Sequence, residues 1–80
     1  MLDHSFVAIV RRHLPLLDHG EELTPESNLA QLGLDSMGTA HLVVDLEDGL
    51  GISLPSSALV PSTFGSLASL WREVCKLKGP

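Results

Sequence analysis

The residues that could do chemistry lie in one short stretch, Leu32-Gly33-Leu34-Asp35-Ser36-Met37. Ser36 is a hydroxyl at the expected start of a helix, with a carboxylate just before it and apolar residues on both sides. As a nucleophile acting for itself it fails. Leu34 stands where the nucleophile elbow of hydrolases needs glycine. Eighty residues of helical pattern cannot build the sheet that such an elbow crowns. An activated hydroxyl also needs a base within hydrogen-bond reach, and His41, five residues on, falls on another part of the turn. Ser36 therefore reads as a serine on which other enzymes act.

The remaining reactive side chains are scattered. His4, His13, His19 and His41 are dispersed and Cys75 is alone, so none has the spacing of a zinc site. Asp45-Leu46-Glu47-Asp48-Gly49 is too short and wrongly spaced for a calcium loop. These side chains are expected to be solvated, Cys75 to be a half-buried small residue, and metal to be absent. A single cysteine allows no intrachain disulfide, which suits a reducing compartment. Met1-Leu2-Asp3-His4 lacks the basic and apolar segments of a signal peptide, and the apolar runs are too short to span a bilayer. The expected location is cytoplasmic, with no membrane partner.

Charge narrows the partners. The net charge is −5, and from His13 to Trp71 there is neither Lys nor Arg. That window holds Asp18, Glu21, Glu22, Glu26, Asp35, Asp45, Glu47 and Asp48. Nucleic acid and anionic lipid need cationic residues, so both are excluded, whereas basic protein surfaces would be attracted. With 44% hydrophobic and 19% charged residues the chain is globular. At this length it buries only about 60–65% of its unfolded surface, enough for a single domain over residues 1–80.

Four helical elements must position Ser36. Leu2, Phe6, Ile9, Val10, Leu14 and Leu17 form one apolar stripe, predicting helix one from residue 2 to about 14, interrupted by Pro15. Residues 18–35 form a long connection in which Thr24-Pro25-Glu26 suggests a single turn. Leu29, Leu32 and Leu34 should plug the core and anchor it. Helix two is expected from residue 36 to about 50, capped by Asp35 or Ser36 and ended by Gly49 and Gly51. At roughly 100° per residue, Thr39, Leu42, Val43, Leu46 and Leu50 share the core face, and Met37, Ala40 and Val44 lie about 140° away. That second stripe, interleaved with His41, Glu47 and Asp48, reads as a partner-docking face. Ile52 and Leu54 should turn inward. Pro55–Val60 suggests a short, partly packed third helix closed by Pro61. The last helix is expected over 63–77, capped by Ser62 or Thr63, with Phe64, Leu67, Trp71 and Val74 on its stripe and Gly79-Pro80 ending it. The fold class is all-α: a four-helix bundle with a long loop between helices one and two and a short third helix.

Leu32-Gly33-Leu34-Asp35-Ser36-Met37 resembles the L-G-x-D-S-[LM] signature of acyl carrier proteins. The resemblance extends through helix one, the leucine-bearing loop, Asp45-Leu46-Glu47-Asp48, Ile52-Ser53-Leu54-Pro55 and Thr63-Phe64-Gly65-Ser66-Leu67. It implies a bundle of carrier-protein type. It also implies that a phosphopantetheinyl transferase moves the 4'-phosphopantetheine arm of coenzyme A onto Ser36, and that Asp35 helps present Ser36 to the transferase and its magnesium. Gly38 and His41 stand where fatty-acid carriers are usually more acidic, and Leu34-Asp35 differs from the usual peptidyl-carrier pattern. The length and the ending Leu70-Trp71-Arg72-Glu73 look like discrete carriers of polyketide or hybrid natural-product pathways. Such a carrier is not an enzyme and is expected to be a monomer. Its partners would be the transferase and an acyltransferase, adenylating enzyme or ketosynthase with basic docking surfaces. A peptidyl or aminoacyl carrier, a fatty-acid carrier and, from another class, an unmodified helical interaction module stay open as alternatives.

Overall fold

The structure, a computed structural model, describes residues 3–18 and 20–78. Leu2, His19, Gly79 and Pro80, used in the sequence reading, lie outside the described residues. Three α-helices carry the fold: α1 (His4–Arg11), α2 (Ser36–Leu50) and α3 (Leu67–Lys78). Among the described residues there is no strand, only an isolated antiparallel bridge between Asn28 and Ser66. The expected short third helix is one turn of 3-10 helix, Ser56–Ala58. It cannot lengthen, because Pro55 precedes it and Leu59 leaves helical dihedrals at φ −90°, ψ 57°. Ala58 of this segment is buried, while Leu59 and Val60 are 46% and 40% exposed, so the segment is partly packed, as expected.

Each helix presents one apolar stripe to a common core. Phe6, Ile9 and Val10 come from α1, Leu42 and Leu46 from α2, and Leu67, Leu70 and Val74 from α3. The Phe6 and Trp71 rings meet at 4.8 Å between centroids, tilted by 43°, and join α1 to α3. Asp3 caps α1 by accepting from the Ser5 and Phe6 N–H groups. α1 ends at Arg11, a turn earlier than expected. His13 and Leu14 donate to the carbonyls three residues back, and the residue before Pro15 is disfavoured in the helical region. His13 and Asp45 are not solvated as expected. His13 Nε2 and Asp45 Oδ2 lie 2.6 Å apart, with His13 mostly buried, pinning the end of α1 to the middle of α2.

The long connection is held by plugs and by backbone. Leu29 and Leu34 are buried in the core, and Leu32 packs against it. Fully burying a leucine contributes about 1.5–3 kcal/mol. The loop also caps α3: the first N–H groups of that helix, on Leu67 and Ala68, donate to the carbonyls of Ser27 and Pro25. The start of α3 is Leu67, not residue 63. Ser66 is its cap, exchanging hydrogen bonds with Ser69 in both directions between backbone N–H and side-chain hydroxyl. Thr63 and Phe64 lie in the preceding turns, both buried. Cys75 is exposed rather than half-buried, because its neighbour Val74 takes the inward position of that turn.

Candidate functional site

Ser36 is the first residue of α2, and the chain before it leaves little freedom. Gly33 has φ +103°, where L side chains are strained. A Cβ there would stand 2.8 Å from Pro15 Cγ. Leu34 is buried and donates its N–H to the Leu29 carbonyl at 3.0 Å. Asp35 is extended and caps α2: its Oδ1 accepts from the Gly38 N–H at 2.7 Å. Its carbonyl accepts from both the backbone N–H and the hydroxyl of Thr39, each at 2.8 Å. Ser36 is thus exposed on a rigid element between a buried anchor and a satisfied cap.

An apolar groove of about 770 Å³ opens beside it. Thr39, Ala40 and Val43 of α2 form one wall, and Leu59, Val60, Pro61 and Phe64 the other, with Asp35 and Ser36 also lining it. The second wall was not legible in the sequence as part of the site. Only the low polarity of 55–60 hinted at it, and the pairing of that segment with α2 is a tertiary fact.

The other residues of the expected docking face divide. Met37 is 73% exposed and Val44 56%. Ala40, His41 and Asp48 are also exposed. Glu47 departs from the sequence reading. It is half-buried, and its Oε2 accepts from the Leu54 N–H at 2.8 Å, tying the segment after α2 back onto the helix. Its carboxylate is engaged with the fold rather than turned out for a partner. Gly51 ends α2 with φ +65°, the left-handed cap. Gly49 is inside the helix, and a Cβ there would meet Ile9 Cδ1 at 2.6 Å. Among the described residues, no three His, Cys, Asp or Glu side chains gather as metal ligands.

The profile of the phosphopantetheine attachment site family matches residues 6–74, nearly the whole described chain. The chain belongs to this family of carrier proteins. The group such carriers hold is a covalently attached 4'-phosphopantetheine. An exposed hydroxyl on the first residue of a capped helix, beside an apolar groove, fits that attachment. The carrier is 29% identical to aminoacyl carrier protein 2 of Bradyrhizobium diazoefficiens over 78 residues, covering 98% of this chain and 88% of that protein. It is 32% identical to aminoacyl carrier protein 1 of the same organism over 53 residues, covering 66% of this chain and 59% of that one.

Two crystal structures are also similar. One is the Bradyrhizobium japonicum glycine:[carrier protein] ligase complexed with glycylated carrier protein. The carrier matches a chain of it with TM-score 0.68 and 26% identity, covering 89% of this chain and 99% of that one. The other holds the ligase with its cognate carrier protein and an analogue of glycyl adenylate. There the TM-score is 0.69 and the identity 27%, covering 90% of this chain and 96% of that one. No helix among the described residues is long and apolar enough to cross a membrane.

Proposed function

We propose that Ser36 is the phosphopantetheine attachment point of a discrete carrier whose cargo is an aminoacyl or acyl thioester. The observation that carries this is the placement of Ser36: exposed, first in α2, and preceded by the Asp35 cap, inside the matched region. In the transfer, Ser36 Oγ attacks the phosphorus of the coenzyme A pyrophosphate that bears the pantetheine. The new bond is Oγ–P. The broken bond is from that phosphorus to the bridging oxygen, which leaves on 3',5'-adenosine diphosphate, and the transferase takes the Ser36 proton. Asp35 fixes the first turn of α2 and offers its carboxylate to the transferase and its magnesium. The helix N-terminus favours the resulting anionic phosphodiester by about 0.3–1 kcal/mol. When attached, the arm supplies a terminal thiol for thioester chemistry.

An aminoacyl cargo loaded by a stand-alone adenylating enzyme is the reading that the relatives support. Onward transfer would go to an acyltransferase or to a ketosynthase of a polyketide or hybrid pathway. Met37, Ala40, His41 and Val44 would meet these partners, with Asp48 steering them. The carrier itself is a non-catalytic, monomeric, cytoplasmic single domain in this reading. Incubation with coenzyme A, magnesium and a promiscuous phosphopantetheinyl transferase, followed by intact mass, tests it. The parent should gain one phosphopantetheinyl group, and Ser36→Ala should gain none while keeping its helical circular dichroism. A parent that folds and gains nothing would instead be an unmodified interaction module.

A further inference from the structure

Glu47 stands where the chain leaves α2, and the N–H groups beyond the helix converge on it. Its carbonyl accepts from Gly51 and from Ile52, the latter at 3.2 Å, and its Oε2 accepts from Leu54 at 2.8 Å. Among the described residues, no other hydrogen bond joins α2 to residues 52–65. The segment that follows Leu54 is bonded mainly to itself: the N–H groups of Ala58, Leu59, Thr63, Phe64 and Gly65 each donate three residues back. It is tied down again at its far end, where the Ser69 hydroxyl donates to the Thr63 carbonyl at 2.8 Å. Leu54, Ala58, Thr63 and Phe64 are its buried plugs. This same segment is the second wall of the apolar groove that Ser36 lines.

We propose that Glu47 is a positioning residue for this groove: its carboxylate latches residues 54–64 to α2 and thereby sets how closely the second wall stands over what Ser36 carries. The last clause rests on Ser36 being the attachment point. Glu47 does not itself line the groove. It lies eleven residues beyond Ser36, about 16 Å along the helix, and acts through the backbone that it holds. Leu54 carries the segment into the core, where an N–H without an acceptor is disfavoured. A carboxylate oxygen is a strong acceptor for that N–H. With the latch closed, the wall is fixed at both ends, at Glu47 and at Ser69. With it open, the α2 end is held by side-chain packing alone beyond Ile52, and the exposed Leu59 and Val60 add little to that packing.

Three variants of the full chain separate reach from charge. Glu47→Gln keeps an oxygen at the same reach and loses the charge. Glu47→Asp keeps the charge and is one methylene short. Glu47→Ala loses both without weakening the helix, and Glu47→Asp carries the comparison if it does not fold. Amide exchange by NMR reads the latch. In Glu47→Asp and Glu47→Ala the Leu54, Ala58, Thr63 and Phe64 N–H groups should exchange about tenfold faster, measured against those of Val10 and Val74 in the same chain. Glu47→Gln should stay within about threefold of the parent. The groove is read on chains whose arm bears an octanoyl thioester as an apolar probe. Hydroxylamine should cleave it at least about twofold faster from Glu47→Asp and Glu47→Ala than from the parent and Glu47→Gln, because the loosened wall admits water and nucleophile. Exchange at 54–64 that rises no more than at Val10 and Val74 overturns the inference, since Glu47 then serves overall stability only. Glu47→Gln behaving like Glu47→Ala, Glu47→Asp behaving like the parent, or equal cleavage throughout overturns it as well. A parent that accepts no arm fails the reading of Ser36 instead, and the two failures are told apart because the exchange comparison needs no arm.

Discussion

At the scale of single residues, Asp35 has two roles that can be pulled apart. Its Oδ1 satisfies the Gly38 N–H, which makes it the cap of α2, and its charge stands beside the proposed attachment serine. Asparagine caps a helix about as well as aspartate, whereas alanine loses roughly 1 kcal/mol. Asp35→Asn should therefore keep the urea midpoint of the parent, and Asp35→Ala should lose about 1 kcal/mol of unfolding free energy. If the carboxylate also presents Ser36 to the transferase, Asp35→Asn should lower kcat/KM for arm transfer although its stability is intact. Parent-like transfer by Asp35→Asn would leave capping as the whole role. Glu47 teaches the converse lesson. By periodicity it shares the outer face with Asp48, yet its side chain curls back to the Leu54 N–H. Spacing places a Cβ on a face; it does not say where a flexible carboxylate ends.

At the scale of elements, Gly49 is where α2 leaves room for the Ile9 side chain of α1. A Cβ there would lie 2.6 Å from Ile9 Cδ1, and Ile9 is buried. Alanine in place of a helix-interior glycine gains about 0.5–1 kcal/mol, but overpacking a core costs about 1–3 kcal/mol. Gly49→Ala should therefore destabilise the parent. In an Ile9→Val background the offending methyl is gone, and the same change should be neutral or stabilising. A double-mutant cycle by urea denaturation should show a coupling of about 0.5–3 kcal/mol; additive effects would mean that the helices simply separate. The apolar stripes of all three helices were legible in the sequence because 3.6-residue periodicity reports burial directly. Helix ends were less so. α1 stops at Arg11 because its last turn tightens before Pro15, and α3 waits until Leu67 because Ser66 and Ser69 cap one another. The latter pairing uses serine where the usual signal is Glu or Gln, so the stretch Thr63-Phe64 drew the boundary too early. The groove wall from Leu59 to Phe64 was illegible for a different reason: it depends on how a 3-10 turn lies against α2, and no local pattern encodes that.

At the scale of the whole molecule, the acids form a field. The net charge is −5, and the long cation-free window spans both the 18–35 connection and α2. Glu22, Glu26 and Asp48 are all exposed, so each alone is worth little in water. Together they shape the potential that a cationic enzyme meets before contact, and such steering acts on the association rate. The Debye length falls from about 10 Å at 0.1 M salt to about 3 Å at 1 M, so the field should be progressively lost over that range. Arm transfer to the parent should show kcat/KM falling with salt, with the change in KM. A Glu22→Gln, Glu26→Gln, Asp48→Asn variant should begin lower and fall less steeply, and the two curves should converge at high salt. Effects of salt on the transferase itself act on both curves alike and cancel in the ratio. Parallel curves would instead assign the electrostatic attraction to acids nearer the serine, Asp35 above all. The comparison thus separates a field spread over the molecule from a charge contact at the site.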